Sequence, residues 1–489
     1  MRVGSSPAAG SICTTCLRKF TVHFRRPYKL SSKAIDQITR KPLYNGEYGF
    51  DWLRDEYLNS LTLFAKTKGG TKSYSPVLKE ASNRYRVNSL KENYTQGIKK
   101  VSPFGNEYIP SHLALFSTNL DKPDPNGSTE INKNGALLWL EIHQISGDDS
   151  TPLTNDGTVL YFESSHPSIK ISTANGNEKK TKVSIPLSKV LNNYSQLKLD
   201  SGVRKFYQNK NFLRVSCEGS THSGGYIEVK AKKGDVEEVV GLMALEANNK
   251  IPKAEICLVN VMVNSNPVYQ PEGLEYRLKY QSFNQALIRA EIVKRDDFDV
   301  FKLYVKHRTK DLEDFLNKYY YKAPKDPKTK NSIVDKEESN NFNRELCLLY
   351  EKYRNVKPIN SDETKITYAF FSNIIFKTLN SERLGLAVRG KEHNHGNKLV
   401  WGNAVVMFNG GSSDLETVVH EIIHSFSLTH IFSDNVEDRK FSMYQGLTDN
   451  FMDYKDMLAD GESLFKGNQI SLFRIQWKNL KKDRSVRYV

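Results

Sequence analysis

His420 and His424 are the residues from which chemistry can first be argued. Four positions apart, they share one face of any α-helix that contains them, so both imidazoles can reach a single ion. Glu421 lies between them as a carboxylate that can take a proton. Imidazoles at this spacing suit zinc, and a tetrahedral site needs at least one more ligand from elsewhere. His430, six residues past His424, would lie about 9 Å further along a straight helix and more than half a turn out of phase. It can join them only if the helix stops near Ser427 and the chain turns back sharply. The other donors open to such a site are downstream carboxylates, Glu437 or Glu462.

The element that must hold these residues is legible. Leu415, Val418, Val419, Ile422, Ile423 and Phe426 recur at steps of three and four, the apolar stripe of a helix packed on a core. Gly410, Gly411 and two short polar residues precede the stripe, and Ser413 or Asp414 can cap its start.

Two motifs carry a family resemblance. H-E-x-x-H-x-x-x-x-x-H runs from His420 to His430, and N-F-M-D-Y follows from Asn450 to Tyr454. Together they resemble the metzincin clan of zinc endopeptidases, most closely the N-x-M-D-Y of the pappalysin group. The resemblance implies one catalytic zinc ion held by His420, His424 and His430, with Glu421 as general base. It implies Met452 as an apolar floor beneath the imidazoles and Tyr454 as a stabiliser of the oxyanion. It also implies a closing helix beyond residue 465, with Ile470, Phe473, Trp477 and Leu480 on its apolar face. There is one departure. The family places glycine at the turn after the second histidine, where φ is positive, and this chain has Ser427, at a cost of roughly 1 kcal/mol. The motifs cover residues 410–480, element order extends the likeness over 280–410, and the first 270 residues hardly share it.

The expected architecture is multidomain, because 489 residues exceed what one core usually supports. Residues 1–45 read as an irregular lead with one strand over 20–24. Residues 46–268 read as an all-β, β-sandwich-like accessory region, with short runs over 136–143, 158–162, 212–216, 226–231, 236–243 and 256–261 separated by turn residues. A hairpin is expected across Lys233, Gly234 and Asp235. Residues 269–489 read as an α+β metzincin-like zinc peptidase domain. In it, strands are expected over 286–293, 300–305, 367–371, 384–388 and 404–408, a helix over 345–353, and a mobile charged insertion over 322–341. By the family resemblance, residues 385–389 are the sheet edge against which an extended substrate would pair. The segment Gly46-Glu-Tyr-Gly-Phe-Asp-Trp52 is an aromatic cluster fit to anchor the first domain, and it resembles segments at the start of proteins associated with bacterial type VI secretion.

Composition narrows the rest. No run of eighteen apolar residues spans a membrane, and no apolar core of a cleavable signal peptide follows Arg2. The expectation is a protein made in the cytoplasm, with export by a signal-independent system left open. The five cysteines are too scattered for a disulfide scaffold; Cys13 and Cys16 form a lone pair without the partners of a zinc ribbon, and a Cys217–Cys257 bridge is allowed. The net charge of +15 comes without a helix-turn-helix, finger or aromatic RNA motif, so no specific nucleic-acid partner is expected. Isolated His112, His143, His166 and His222 read as surface or satisfied core residues, and His393 and His395 as a solvated loop. The expected partner is a protein or peptide substrate of a zinc metallopeptidase, and the oligomeric state is open. The rivals are a peptidase using Glu437 or Glu462 as third ligand, and a non-catalytic binding or delivery protein with a structural zinc site.

Overall fold

The computed structural model describes residues 16–27, 44–58, 63–67, 70–74, 84–118, 131–174, 178–199, 202–264, 266–357, 365–389, 401–433, 442–454 and 469–488. Its architecture is mixed α and β, built on several separate sheets with helices between and after them.

Two of these sheets face each other across one core. The first orders Phe20–Arg25, Ala136–Gln144, Gly202–Cys217 and Tyr194–Leu199, with Ile169–Thr173 also paired to Gly202–Cys217. The second orders Gly49–Asp51, Ser111–Ala114, Val236–Leu245, Gly225–Lys233, Val159–Ser164 and Lys182–Pro186. Alternating residues supply the core between them: Phe20, Val22 and Phe24 from one strand meet Leu138, Leu140 and Ile142 from its neighbour, and Val229, Ala231 and Val240 from the opposite sheet. The strand at 20–25, from the stretch read as a lead, is therefore part of this core. The hairpin forms as expected, with Lys233 opposite Val236 and Gly234 at a φ of +58°.

The third large sheet positions the histidines. Arg289–Asp299, Lys253–Met262, Ile366–Ser372 and Trp401–Met407 pair in parallel in that order, and Gly385–Arg389 closes the edge antiparallel to Trp401–Met407. The helix Leu415–Ser425 packs on those last two strands. Strand 253–262, assigned from the sequence to the accessory β region, is an inner strand of this sheet instead, between Arg289–Asp299 and Ile366–Ser372. Its run Ala-Glu-Ile-Cys-Leu-Val-Asn-Val-Met is buried along most of its length, the pattern of a parallel strand covered on both faces.

Other expectations are corrected. Residues 300–305 are helical, in Val300–His307, because the Asp299 carboxylate accepts from the Lys302 backbone N–H at 2.9 Å and caps a turn that the β-branched residues obscured. Within 322–341, expected to be a mobile charged insertion, Ile333–Asp335 pairs with Ile375–Lys377 and the helix Ser339–Arg354 begins. Cys217 and Cys257 are free and buried in different cores. The closing helix is Arg474–Lys481, burying Trp477 and Leu480; Ile470 and Phe473 precede it in extended chain. Among the described residues, no helix is long and apolar enough to cross a membrane.

Candidate metal centre

The histidine helix begins where its sequence signal places it: Asp414 is the N-cap, its carboxylate accepting from the backbone N–H groups of Glu416 and Thr417. Val418, Val419, Ile422, Ile423 and Phe426 are fully buried, which fixes the helix's rotation about its axis and turns His420 and His424 to one side. The helix ends at Ser425. Ser427 then takes a φ of +65°, the left-handed conformation that the turn requires. Its hydroxyl donates to the Asp483 carboxylate beyond the closing helix, and its N–H donates to the His424 carbonyl at 3.1 Å. The serine therefore holds the turn through a bond that glycine could not make.

The turn brings His430 to the pair. The three Nε2 atoms form a near-equilateral triangle with separations of 3.0, 3.0 and 3.2 Å. Behind them, His420 Nδ1 donates to the Phe451 carbonyl and His424 Nδ1 to the Leu428 carbonyl, each at 2.6 Å. A carbonyl can only accept, so the proton of each ring lies on Nδ1 and a lone pair on Nε2. Burial lowers the imidazole pKa values, to about 4 for His420, to about 3 for His430 with help from His420, and well below the usual value for His424. Neutral imidazoles with lone pairs converging at this spacing repel one another unless a cation lies between them. The separations are close to the roughly 3.3 Å edge of a tetrahedral zinc site with bonds of ~2.0–2.1 Å. The group could thus hold a metal ion.

Glu421 is partly buried on the neighbouring helix face and faces the edge strand. A Cβ added at Gly385 would come within 2.7 Å of Glu421 Cγ, so the glycine makes room for this carboxyl. Burial raises the Glu421 pKa to about 7, against the Ala387 N–H and Arg383, which lower it. A carboxyl titrating near neutrality can both accept and return a proton.

Residues 450–454 form the other wall. Asp453 N–H donates to the Asn450 carbonyl at 3.1 Å, closing a tight turn. The Phe451 carbonyl takes His420, and the Met452 carbonyl accepts from Ile431 N–H at 3.2 Å, beside His430. Met452 is completely buried in the core that the histidine helix shares. The Tyr454 ring centroid lies 4.7 Å from that of His430 and 5.5 Å from that of His420. Burial and then Glu421 push its phenol up to about 12, so it stays a hydrogen-bond donor.

The sequence reading missed the support of this wall. Asp449 is ion-paired with Arg26, which is fully buried, and with Arg54 at 3.3 Å; it also accepts from the Ser471 hydroxyl at 2.7 Å. Asp51 accepts from the Tyr94 hydroxyl at 2.7 Å and from the Arg474 backbone N–H at 2.8 Å. Gly46 and Gly49 lie so close to residues 281–285 that a Cβ on either would strike a backbone carbonyl. The aromatic segment beginning at Gly46 therefore anchors the sheets to the wall of the histidine site. The signal that could have found it is an arginine flanking the aromatic run and an aspartate just ahead of N-F-M-D-Y, both unusual to bury unless paired.

All three expected histidine ligands come together, with Glu421 and Tyr454 beside them; Glu437, Glu462, His393 and His395 lie outside the described residues. Compared with protein-family models and with curated proteins, the chain matches none.

Proposed function

We propose that the chain is a zinc-dependent endopeptidase of metzincin-like type. One observation carries the reading: the Nε2 atoms of three neutral imidazoles, two of them buried and one partly buried, converge on one point beside the carboxyl of Glu421. In this reading His430 is the third donor, supported by its Nε2 lying 3.0 and 3.2 Å from those of His424 and His420. When bound, a zinc ion supplies an acidified water and a Lewis acid for the scissile carbonyl. Glu421 accepts the proton of the attacking water and passes it to the leaving amine. The Tyr454 phenol, held protonated, donates to the developing oxyanion. Strand 385–389, the edge of the described sheet next to Glu421, offers backbone groups to an extended peptide. Met452 closes the floor of the site as part of the core.

Glu421→Gln tests the reading. The variant is expected to keep about one zinc per chain and to lose peptide cleavage by at least about a hundredfold, the range of a general base. Undiminished cleavage removes Glu421 from that role. A wild-type chain that holds zinc and cleaves nothing across a broad peptide library favours a structural metal site in a binding protein.

A further inference from the structure

Glu382–Arg383 is a short strand paired antiparallel to Ile375–Lys377, with Phe376 opposite Arg383, and it leads directly into the edge strand. Along this extended stretch the side-chain directions alternate. Leu384 packs against Gly410 and Gly411, where an added Cβ would come within 2.9 Å of its side chain and 2.3 Å of its carbonyl respectively. Gly385 faces Glu421. Residues two apart in extended chain share a side, so Arg383 points to the same side as Gly385, toward the catalytic carboxyl. The field agrees, since Arg383 is the cation that acts on both Glu421 and Tyr454. Glu382, its neighbour, reaches instead toward Gly410. Arg383 is partly buried, and its guanidinium makes no hydrogen bond or ion pair among the described residues. A partly buried guanidinium that is not bonded to a carboxylate of its own chain is ready to take one from a ligand, in a fork that fits it. A chain of net charge +15 also draws anionic peptides toward its surface.

We propose that Arg383 selects peptides carrying a carboxylate close to the cleaved bond. This rests on the peptidase reading and names its substrate class. The carboxylate can belong to an acidic side chain or to the C terminus of the peptide.

The test uses the full-length, zinc-loaded chain and matched peptides with Asp or Glu against Asn or Gln at each position flanking the cleaved bond, each made with a free and an amidated C terminus. One carboxylate position is expected to raise kcat/KM about ten- to a hundredfold. A gain confined to the acidic side chains identifies that source, and a gain confined to the free C termini identifies the other. Arg383→Gln should erase the preference, cleave the neutral peptides within a few-fold of wild type, and keep one zinc per chain. Arg383→Glu should turn the preference toward lysine at the same position. In the Glu421→Gln background, calorimetry should show the carboxylate peptide binding more tightly than its amide, and the difference should vanish when Arg383→Gln is added. Equal rates for acid and amide peptides, or a preference that survives Arg383→Gln, overturn the assignment while leaving the peptidase intact. A chain that cleaves no peptide overturns both.

Discussion

Two clusters of buried and partly buried histidines lie among the described residues, and they are built on opposite principles. In the two-sheet region, His23 and His143 are 4.3 Å apart between ring centroids. His143 Nε2 meets the Glu141 carboxylate at 3.1 Å, and His23 Nε2 meets the Thr21 hydroxyl at 2.8 Å. Glu141 is further held by Arg25 at 3.0 Å and by Gln208 at 3.0 Å. Burial works against its charge, yet Arg25 and His143 hold it down to about 2. Cation, anion and imidazole balance one another, and nothing further is needed. Around His420, His424 and His430 the three inner nitrogens face one another, while the outer nitrogens of His420 and His424 are satisfied by carbonyls. Burial and proximity are common to both groups. What separates them is the direction of the lone pairs and the lack of a counter-charge, and that difference marks a place for a metal ion.

The comparison is broken most strongly by single deletions. His424→Ala should remove about a third of the ~12 kcal/mol typical of a zinc site, near a thousandfold in affinity by competition with a chelator. His143→Ala should leave zinc content unchanged and lower stability by about 1–3 kcal/mol in urea denaturation, the cost of unmaking a buried hydrogen bond. Loss of metal in both variants would erase the distinction.

The next largest effect concerns the wall shared by the two regions. Asp449→Asn leaves Arg26 and Arg54 buried without their anion and should cost about 3–5 kcal/mol. The same carboxylate sets a pH dependence. Although burial opposes it, Arg26 and Arg54 hold the Asp449 pKa down to about 2, below the ~3.9 of an unfolded chain. Its contribution, roughly 2 kcal/mol, is therefore complete above about pH 4 and lost as pH falls through about 2. Denaturation from pH 6 to 2 should show that acid loss in wild type and a flatter profile in Asp449→Asn.

The smallest effect is at Ser427. Serine to glycine relieves the positive φ and removes the bond to Asp483, two terms of about 1 kcal/mol each, so stability should move by less than about 1 kcal/mol. Serine to alanine keeps the strain and loses the bond, and should cost more, about 1–2 kcal/mol, read as a lower Tm.

The histidine helix was legible because its apolar period, its cap and its histidine spacing are all local and agree with one another. His430 was legible through spacing together with the need for a turn. The ion pairs of Asp449 were not, since Arg26 lies 423 residues away and no local pattern encodes such a contact. Strand 253–262 was assigned to the wrong sheet for a related reason: an unbroken apolar run fits either core, and only its parallel partners, residues 289–299 and 366–372, decide between them. Helix 300–307 was hidden behind Val300, Phe301, Tyr304 and Val305, which favour strands, while its start depends on the carboxylate of Asp299 just outside the run.

Metal content of the purified full-length chain, combined with X-ray absorption at the zinc edge, tests the metal centre most directly. One zinc per chain is expected, with three imidazole nitrogens at about 2.0–2.1 Å. A chain that retains no zinc, or binds it through oxygen or sulfur without imidazole, would contradict the assignment of His420, His424 and His430 as its ligands.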